Sequence, residues 1–254
     1  MSSTYTAEAA IYSGDLYVAR LDADGIKQGY LLLGNANSFK FDAPSIEKKT
    51  LPSKMRATRG QDLAVLIDKQ TKTLGFTLTD ISRKNLALAF FGTDADASQT
   101  GASVTDEVVT GFHDKWSALA KTNVSSVVVT DSAGTTTYDV DDDYVVNADD
   151  GMIWINPDGA ITDGQSLKAD YTYASTTAFK IEAYSDTQID VAILLLGKNA
   201  IDDSTWRIEV PKVTLEPSAA FEVLSDDFAT MDFKGTIITT TEPSFTIKKI
   251  EVSA

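Results

Sequence analysis

The chain has 254 residues, and its 37 acidic side chains outnumber 22 basic ones, so the formal charge is −15 with the single His neutral. A field of that sign repels phosphate, which excludes sequence-reading of DNA or tight docking on an anionic membrane unless a local basic patch works against it. With 43% hydrophobic residues, 23% charged residues and no cysteine, the composition is that of a packed globular protein without disulfides; a thiol nucleophile or a Cys-ligated zinc is excluded, and with one His a His-based metal site is not expected.

In chain order, residues 1–15 lack a basic start and a continuous apolar core, so no secretory signal is expected there. From there β signals dominate: runs of Val, Ile, Thr, Tyr and Phe alternate with polar residues and are cut by Gly, Asp, Asn and Pro. In Ser38-Phe-Lys-Phe-Asp42, Phe39 and Phe41 should face a core, which puts Ser38, Lys40 and Asp42 on the opposite side. Asp68 is the comparable outward acid in Leu63-Ala-Val-Leu-Ile-Asp68.

Between Phe41 and Leu63 the net charge reverses. Lys48, Lys49, Lys54, Arg56 and Arg59 cluster without an apolar period, and the span from Ser45 to Asp62 carries five cations against two acids. This predicts a long basic loop joining two strands. Such a connection is uncommon in a compact domain unless it has a task. Either it is a solvated mobile loop, or it is a partner-binding arm whose natural target is another copy's acidic surface.

Next, Leu74, Phe76 and Leu78 share one strand face. Thr79 and Asp80 can cap a helix over Ile81 to Phe91, stopped by Gly92, with Ile81, Leu88 and Phe91 on one stripe and Leu86 and Phe90 beside it. That helix, at about residues 80–91, should cover a sheet or plug its open end.

The small polar stretch Thr93-Asp-Ala-Asp-Ala-Ser-Gln-Thr-Gly-Ala102 is expected to be a linker. Residues 100–175 then carry 13 acids against three Lys, a net of −10. Their interior suggests consecutive hairpins: Val127–Thr130 turns at Asp131-Ser-Ala-Gly134 into Thr135–Val140, and Tyr144–Val146 turns at Asn147-Ala-Asp-Asp-Gly151 into Met152–Ile155. Asn156-Pro-Asp-Gly159 is another turn, and Leu167–Tyr173 alternates again. The expected organisation is a main domain from residues 1–95 plus 178–254, interrupted by an inserted acidic β-hairpin domain at 100–175. The apolar run Val191–Leu196 needs a sheet to pack on, and it falls far short of the roughly 20 residues that cross a bilayer.

Catalytic signatures are sparse. His113 in Gly111-Phe-His-Asp-Lys-Trp116 reads as a packing residue rather than a general base, and no Gly-x-Ser-x-Gly elbow, phosphate loop or His-Glu-x-x-His pair occurs. Carboxylates suited to glycoside hydrolysis are too abundant to single out a pair. Asp139-Val-Asp-Asp-Asp143 invites a Ca2+ reading, but Tyr144 stands where the EF-hand loop needs Gly, and the twelfth position lacks Glu. Trp116, Tyr138, Tyr144, Trp154, Tyr171 and Tyr173 either build the core of the inserted domain or form a sugar-stacking face.

The order of features carries a resemblance. A β-rich amino-terminal part, a long connection between two strands, a strand running into Thr79-Asp-Ile-Ser-Arg-Lys-Asn-Leu-Ala-Leu-Ala-Phe-Phe-Gly92, and the run Val213-Thr-Leu-Glu-Pro217 with Leu224-Ser-Asp-Asp-Phe-Ala-Thr-Met-Asp-Phe-Lys-Gly235 resemble the major tail tube protein of long-tailed, siphovirus-type bacteriophages. The likeness covers the main domain. The insert resembles hairpin modules common in phage structural proteins, through Tyr138–Tyr144, Asp150–Ile155 and Ala169–Tyr173.

The resemblance implies an all-β fold, a tail-tube-type β-sandwich or barrel with one flanking helix, and no catalysis or cofactor. It implies homo-hexameric rings stacked into a hollow tube in the virion, assembled in the host cytoplasm, through which double-stranded DNA passes without specific binding. Its partners would be itself and other tail proteins (tape measure, tail terminator, distal tail protein), with no membrane contact. Lys48, Lys49, Lys54, Arg56 and Arg59 would make the inter-ring contact, and Ser38, Lys40, Asp42 and Asp68 would face the lumen unless they decorate the outer surface. The alternative is a non-catalytic adhesin or carbohydrate-binding β-sandwich module, which would stay monomeric where a tube protein polymerises.

Overall fold

The computed structural model describes residues 9–216, 224 and 226–250; Pro217 and Ser225 of the carboxy-terminal run, and residues 1–8 of the amino terminus, lie outside them. In chain order the elements are β1 (Tyr12–Arg20), β2 (Leu31–Leu32), β3 (Ala36–Phe41), β4 (Ser45–Pro52), β5 (Asp62–Thr71), β6 (Thr73–Leu78) and helix α1 (Arg83–Ala89). There follow β7 (Thr93–Asp96), β8 (Ala102–Gly111), β9 (Trp116–Ala118), β10 (Val124–Asp131), β11 (Tyr144–Asn147), β12 (Met152–Ile155), β13 (Gln165–Tyr173) and β14 (Phe179–Glu182). The last are β15 (Ile189–Asn199), β16 (Thr205–Glu216), β17 (Met231–Ile237) and β18 (Thr246–Ile250). Among the described residues the fold is all-β with one short helix, and the chain divides into two compact units, Met1–Asp94 with Ile181–Ala254, and Ala95–Lys180.

The first unit is built on a sheet in the order β2-β1-β15-β16-β17-β6-β3, with β18 also pairing β16. β15 lies inside it, between β1 and β16, and is buried along most of its length, which is why it reads as a continuous apolar run rather than an alternating one. It pairs antiparallel with β1 from Tyr12↔Asn199 to Arg20↔Val191, and with β16 from Ile189↔Leu215 to Lys198↔Thr205. The register with β16 shifts between Val191 and Ile193, so Pro211 and Lys212 together face Ala192. Proline has no N–H to give a ladder, and a bulge is where a strand can hold one. At this same point β16 changes its other partner: Thr205–Glu209 pair with β18 and Val213–Glu216 with β17.

The core of this unit gathers Leu16, Val18, Leu74, Phe76, Leu78, Val191, Ile193, Val213 and Phe233, with Phe76 and Phe233 stacked at 4.7 Å across paired strands. Leu74, Phe76 and Leu78 share the inner face, as their period of two requires, and each fully buried side chain of this size contributes about 1.5–3 kcal/mol. The helix is shorter than the 80–91 expectation. Ser82, not Thr79 or Asp80, is the N-cap: its hydroxyl accepts the Asn85 N–H at 3.2 Å, while the Asp80 carbonyl accepts the Asn85 side-chain amide at 2.8 Å. Leu88 and Phe91 enter the core, Ile81 stays exposed ahead of the cap, and Phe91 ends the helix at φ +50° before the Gly92 N–H closes on the Ala87 carbonyl at 2.8 Å.

The second unit contains two three-stranded sheets, β10-β13-β8 and β11-β12-β9, around a separate core that includes Val129, Tyr138, Tyr144, Ile153, Ile155, Leu167 and Tyr171. The turn at Asp131–Gly134 forms, but Thr135–Val140 continues as isolated bridges such as Thr130↔Thr137 instead of a full strand. The stretch expected to be a linker contains β7, which pairs with β14 where the chain returns. Beside this pair, the Ala97 N–H donates to the Ala178 carbonyl, and Gln99 and Thr176 exchange both backbone bonds, each at 3.0 Å.

Candidate functional site

The segment read as a basic loop is a β-hairpin arm. β4 and β5 form a two-stranded sheet of their own, paired from Ser45↔Thr71 through Lys49↔Leu66 to Pro52↔Asp62. Lys48 and Lys49 therefore sit on a strand, and Lys54, Arg56 and Arg59 at the tip. The alternation that marks a strand in sequence arises when one face is buried, and here neither is: every residue of β4 and all but the last of β5 are exposed.

The tip is a closed structure. Ser53, buried at 3% exposure, receives the Gly60 N–H at 3.1 Å on its carbonyl and the Met55 N–H at 3.2 Å on its hydroxyl, and gives its own N–H to Gln61 at 2.7 Å. Lys54, Arg56 and Arg59 gather around this knot. Lys49 is bound to Asp68 at 2.6 Å, whereas among the described residues Lys48, Lys54, Arg56 and Arg59 have no ion-pair partner. Between these charges lie Ile46, Leu51, Met55, Leu63, Val65, Leu66 and Ile67, each between 43% and 66% exposed. A lone two-stranded ribbon is marginal in water, and seven exposed apolar side chains spread over its two faces and tip gain free energy when covered.

Ser38, Lys40 and Asp42 come together, and Asp68 does not join them. The first three lie on the side of β3 turned away from Phe39 and Phe41, in an open polar groove with Thr77, Asp232 and Lys234. In register, Ser38, Thr77 and Asp232 form one row across three strands, and Lys40, Gly75 and Lys234 the next. The Thr77 hydroxyl donates to Asp232 at 2.5 Å and the Thr73 hydroxyl to Asp42 at 3.0 Å. The two cations, Lys40 and Lys234, are thus matched by two acids, Asp42 and Asp232. Asp68 is placed on the arm instead, at the bulge between Glu47 and Lys48, because the run Leu63–Asp68 belongs to β5 rather than to the main sheet. The same polar face continues onto β15 and β16, where Asp190 accepts from Thr214 at 2.7 Å and pairs with Lys212 at 2.8 Å. Burial pushes the Asp190 carboxyl up, but these bonds and one from Gln188 outweigh it and leave it below the ordinary value.

Sequence reasoning missed an apolar cleft of about 410 Å3 in the first unit, lined by Tyr12, Phe39, Phe41, Leu195, Trp206 and Ile247. Its walls come from strands far apart in sequence, so no local pattern announces it. In the second unit, the His113 ring nitrogen Nε2 is held at 2.6 Å from the Ile161 carbonyl, and the His113 backbone N–H donates to the Asp163 carboxylate at 2.8 Å, a packing role. The Asp143 carboxylate accepts the N–H groups of Asp139 at 2.9 Å and Ala160 at 2.6 Å, so it fixes a turn. Among the described residues no group of three His, Asp or Glu is placed to hold a metal ion. Nor is any helix among them long and apolar enough to cross a membrane.

No curated protein matches the chain. A family model does match residues 9–244, nearly its whole length, and the chain therefore belongs to the family described as protein of unknown function UCP028589.

Proposed function

We propose that this is a structural, non-catalytic protein that assembles with copies of itself, as the subunit of a phage-type tail tube. The observation that carries the reading is the arm: seven exposed apolar side chains and a cationic tip stand on a ribbon that packs on nothing in its own sheet. Another subunit is the natural cover, since the rest of the chain supplies the acidic charge that the tip lacks. The order of strands adds a second support. β2 and β3 stand at the two ends of the main sheet's strand path, with β18 off that path beside β16, and a ring in which one subunit's edge meets the next removes exposed edges by closure.

In this reading the arm contacts the neighbouring ring, hexameric rings stack into the tube, and the face of β3 that carries Ser38, Lys40 and Asp42 lines the bore. Its matched charges offer passing DNA no net cationic surface to stick to. The subunit would then reside in the virion, after assembly in the host cytoplasm, with other tail proteins at the tube's ends and within it.

Negative-stain electron microscopy of the concentrated protein tests this directly: rings or tubes are expected, and a strictly monomeric protein refutes it. Replacing Lys48, Lys49, Lys54, Arg56 and Arg59 together by Glu should leave the circular dichroism spectrum unchanged and abolish polymerisation. Wild-type polymerisation by that variant would remove the arm's charges from the mechanism. Raising salt well above 0.1 M should slow assembly, because exposed charges about 10 Å apart are then largely screened.

A further inference from the structure

The outer face of β11-β12-β9 carries an apolar platform that the assembly reading does not use. Strand register places Val145, Trp154 and Trp116 in one row across the three strands, with Asn147, Met152 and Ala118 in the next. The alternate residues Tyr144, Ile153 and Ile155 point the other way and are buried in the core of the second unit. The six aromatic residues singled out in sequence are thus sorted by the fold: Tyr138, Tyr144 and Tyr171 are core and Tyr173 packs partly buried against them, whereas Trp116 is 48% exposed beside a half-buried Trp154.

We propose that this platform binds a neutral polysaccharide, with pyranose rings stacked on Trp116 and Trp154. Three features select that occupant. The row spans two strand spacings, roughly 10 Å, which is room for two sugar rings in line. With aromatic side chains carrying about 150–250 Å2 each, Trp116 at 48% and Val145 at 36% expose together less than about 200 Å2, well short of the roughly 800 Å2 per partner of a stable protein interface. And the unit Ala95–Lys180 carries 14 acids against four Lys, so phosphate-bearing nucleic acids and acidic glycans are repelled, although both offer rings that stack. The negative face of an indole attracts the weakly positive C–H groups of a sugar ring. Asn147 at one corner, whose amide already donates to Asp150 at 2.8 Å, and exposed Asp114 leading into β9 offer hydrogen bonds to ring hydroxyls.

The site is independent of assembly, so the two readings fail separately. The test titrates the full-length protein with neutral gluco-, galacto-, manno- and N-acetylglucosamine hexasaccharides, following tryptophan fluorescence and calorimetry, with hyaluronan hexasaccharide as the anionic control. At least one neutral probe should bind, hyaluronan should bind at least tenfold more weakly, and Trp116→Ala should weaken binding at least tenfold. Because Trp116 is half exposed, that variant should keep the wild-type melting curve. Trp154→Phe, which keeps a ring at the half-buried position, should retain part of the affinity. Absence of binding by every neutral probe at about 10 mM overturns the proposal, as does unchanged affinity in Trp116→Ala. A concentration-dependent change in tryptophan fluorescence without sugar that Trp116→Ala abolishes would identify a protein cover instead, and would equally overturn it.

Discussion

Asp131 shows how much one side chain can organise at the head of a turn. Its carboxylate accepts from the Thr135 hydroxyl at 2.8 Å and from the N–H groups of Thr135 at 2.7 Å and Thr136 at 3.2 Å. These bonds, the hydroxyl first, hold its pKa down to about 2. A carboxyl depressed in the folded state contributes stability that is complete above its unfolded value and is lost as pH falls through the folded one. The second unit should therefore lose stability between about pH 4 and pH 2, and Asp131→Asn should flatten that part of its melting temperature against pH profile. An Asp-x-x-Gly turn is legible in sequence from its residue types, since Asp recruits the following N–H groups and Gly134 supplies φ +73°. Gly151 is legible only in part. Its φ of +63° fits the turn predicted there, but the reason no other residue fits is tertiary: a Cβ would stand 1.9 Å from the Lys121 carbonyl oxygen, which belongs to a distant segment.

At the scale of the element, β6 and β5 make an instructive pair. Both are strands with large apolar residues, yet Leu74 on β6 is fully buried and Ile67 on β5 is 59% exposed. Leu74→Ala should therefore cost about 2–5 kcal/mol in denaturant unfolding, since it opens a cavity in the core of the first unit. Ile67→Asp should change the monomer's stability by less than about 0.5 kcal/mol while blocking polymerisation. Equal losses of stability in the two variants would mean that the arm is packed within its own subunit. The strand over Leu74–Leu78 was legible because burial of one face imposes the period of two, and the helix was legible from its apolar stripe. Its true start was not, because Thr79, Asp80 and Ser82 are all competent caps and only the packing of Asn85, whose amide reaches the Leu33 carbonyl at 2.8 Å, chooses Ser82. β4 was illegible for the converse reason: its ladder is made by backbone groups, which carry no residue signature when no side chain is buried.

At the scale of the whole molecule, two cores without shared residues predict two unfolding events. The backbone bond between Ala97 and Ala178 brings the ends of the insert together at 3.0 Å, so a chain with residues 98–177 replaced by a short Gly-Ser turn should fold and melt in the first unit's transition alone. A single transition in calorimetry of the intact protein, or failure of that shortened chain to fold, would show that the units depend on each other. It should also still polymerise, since the arm and both sheet edges lie outside the removed part. Composition and periodicity by themselves determined the all-β class, the presence and approximate place of the helix, the acidity of the middle third and the cationic cluster around Lys54, because each is a property of residues near one another in the chain. Only the tertiary structure decided that the cationic cluster crowns a hairpin, that Asp68 parts from Ser38, Lys40 and Asp42, and that Trp116 and Trp154 lie in one row. Those are matters of strand register, and register is set by long-range pairing, where a shift of one residue turns every side chain to the opposite face.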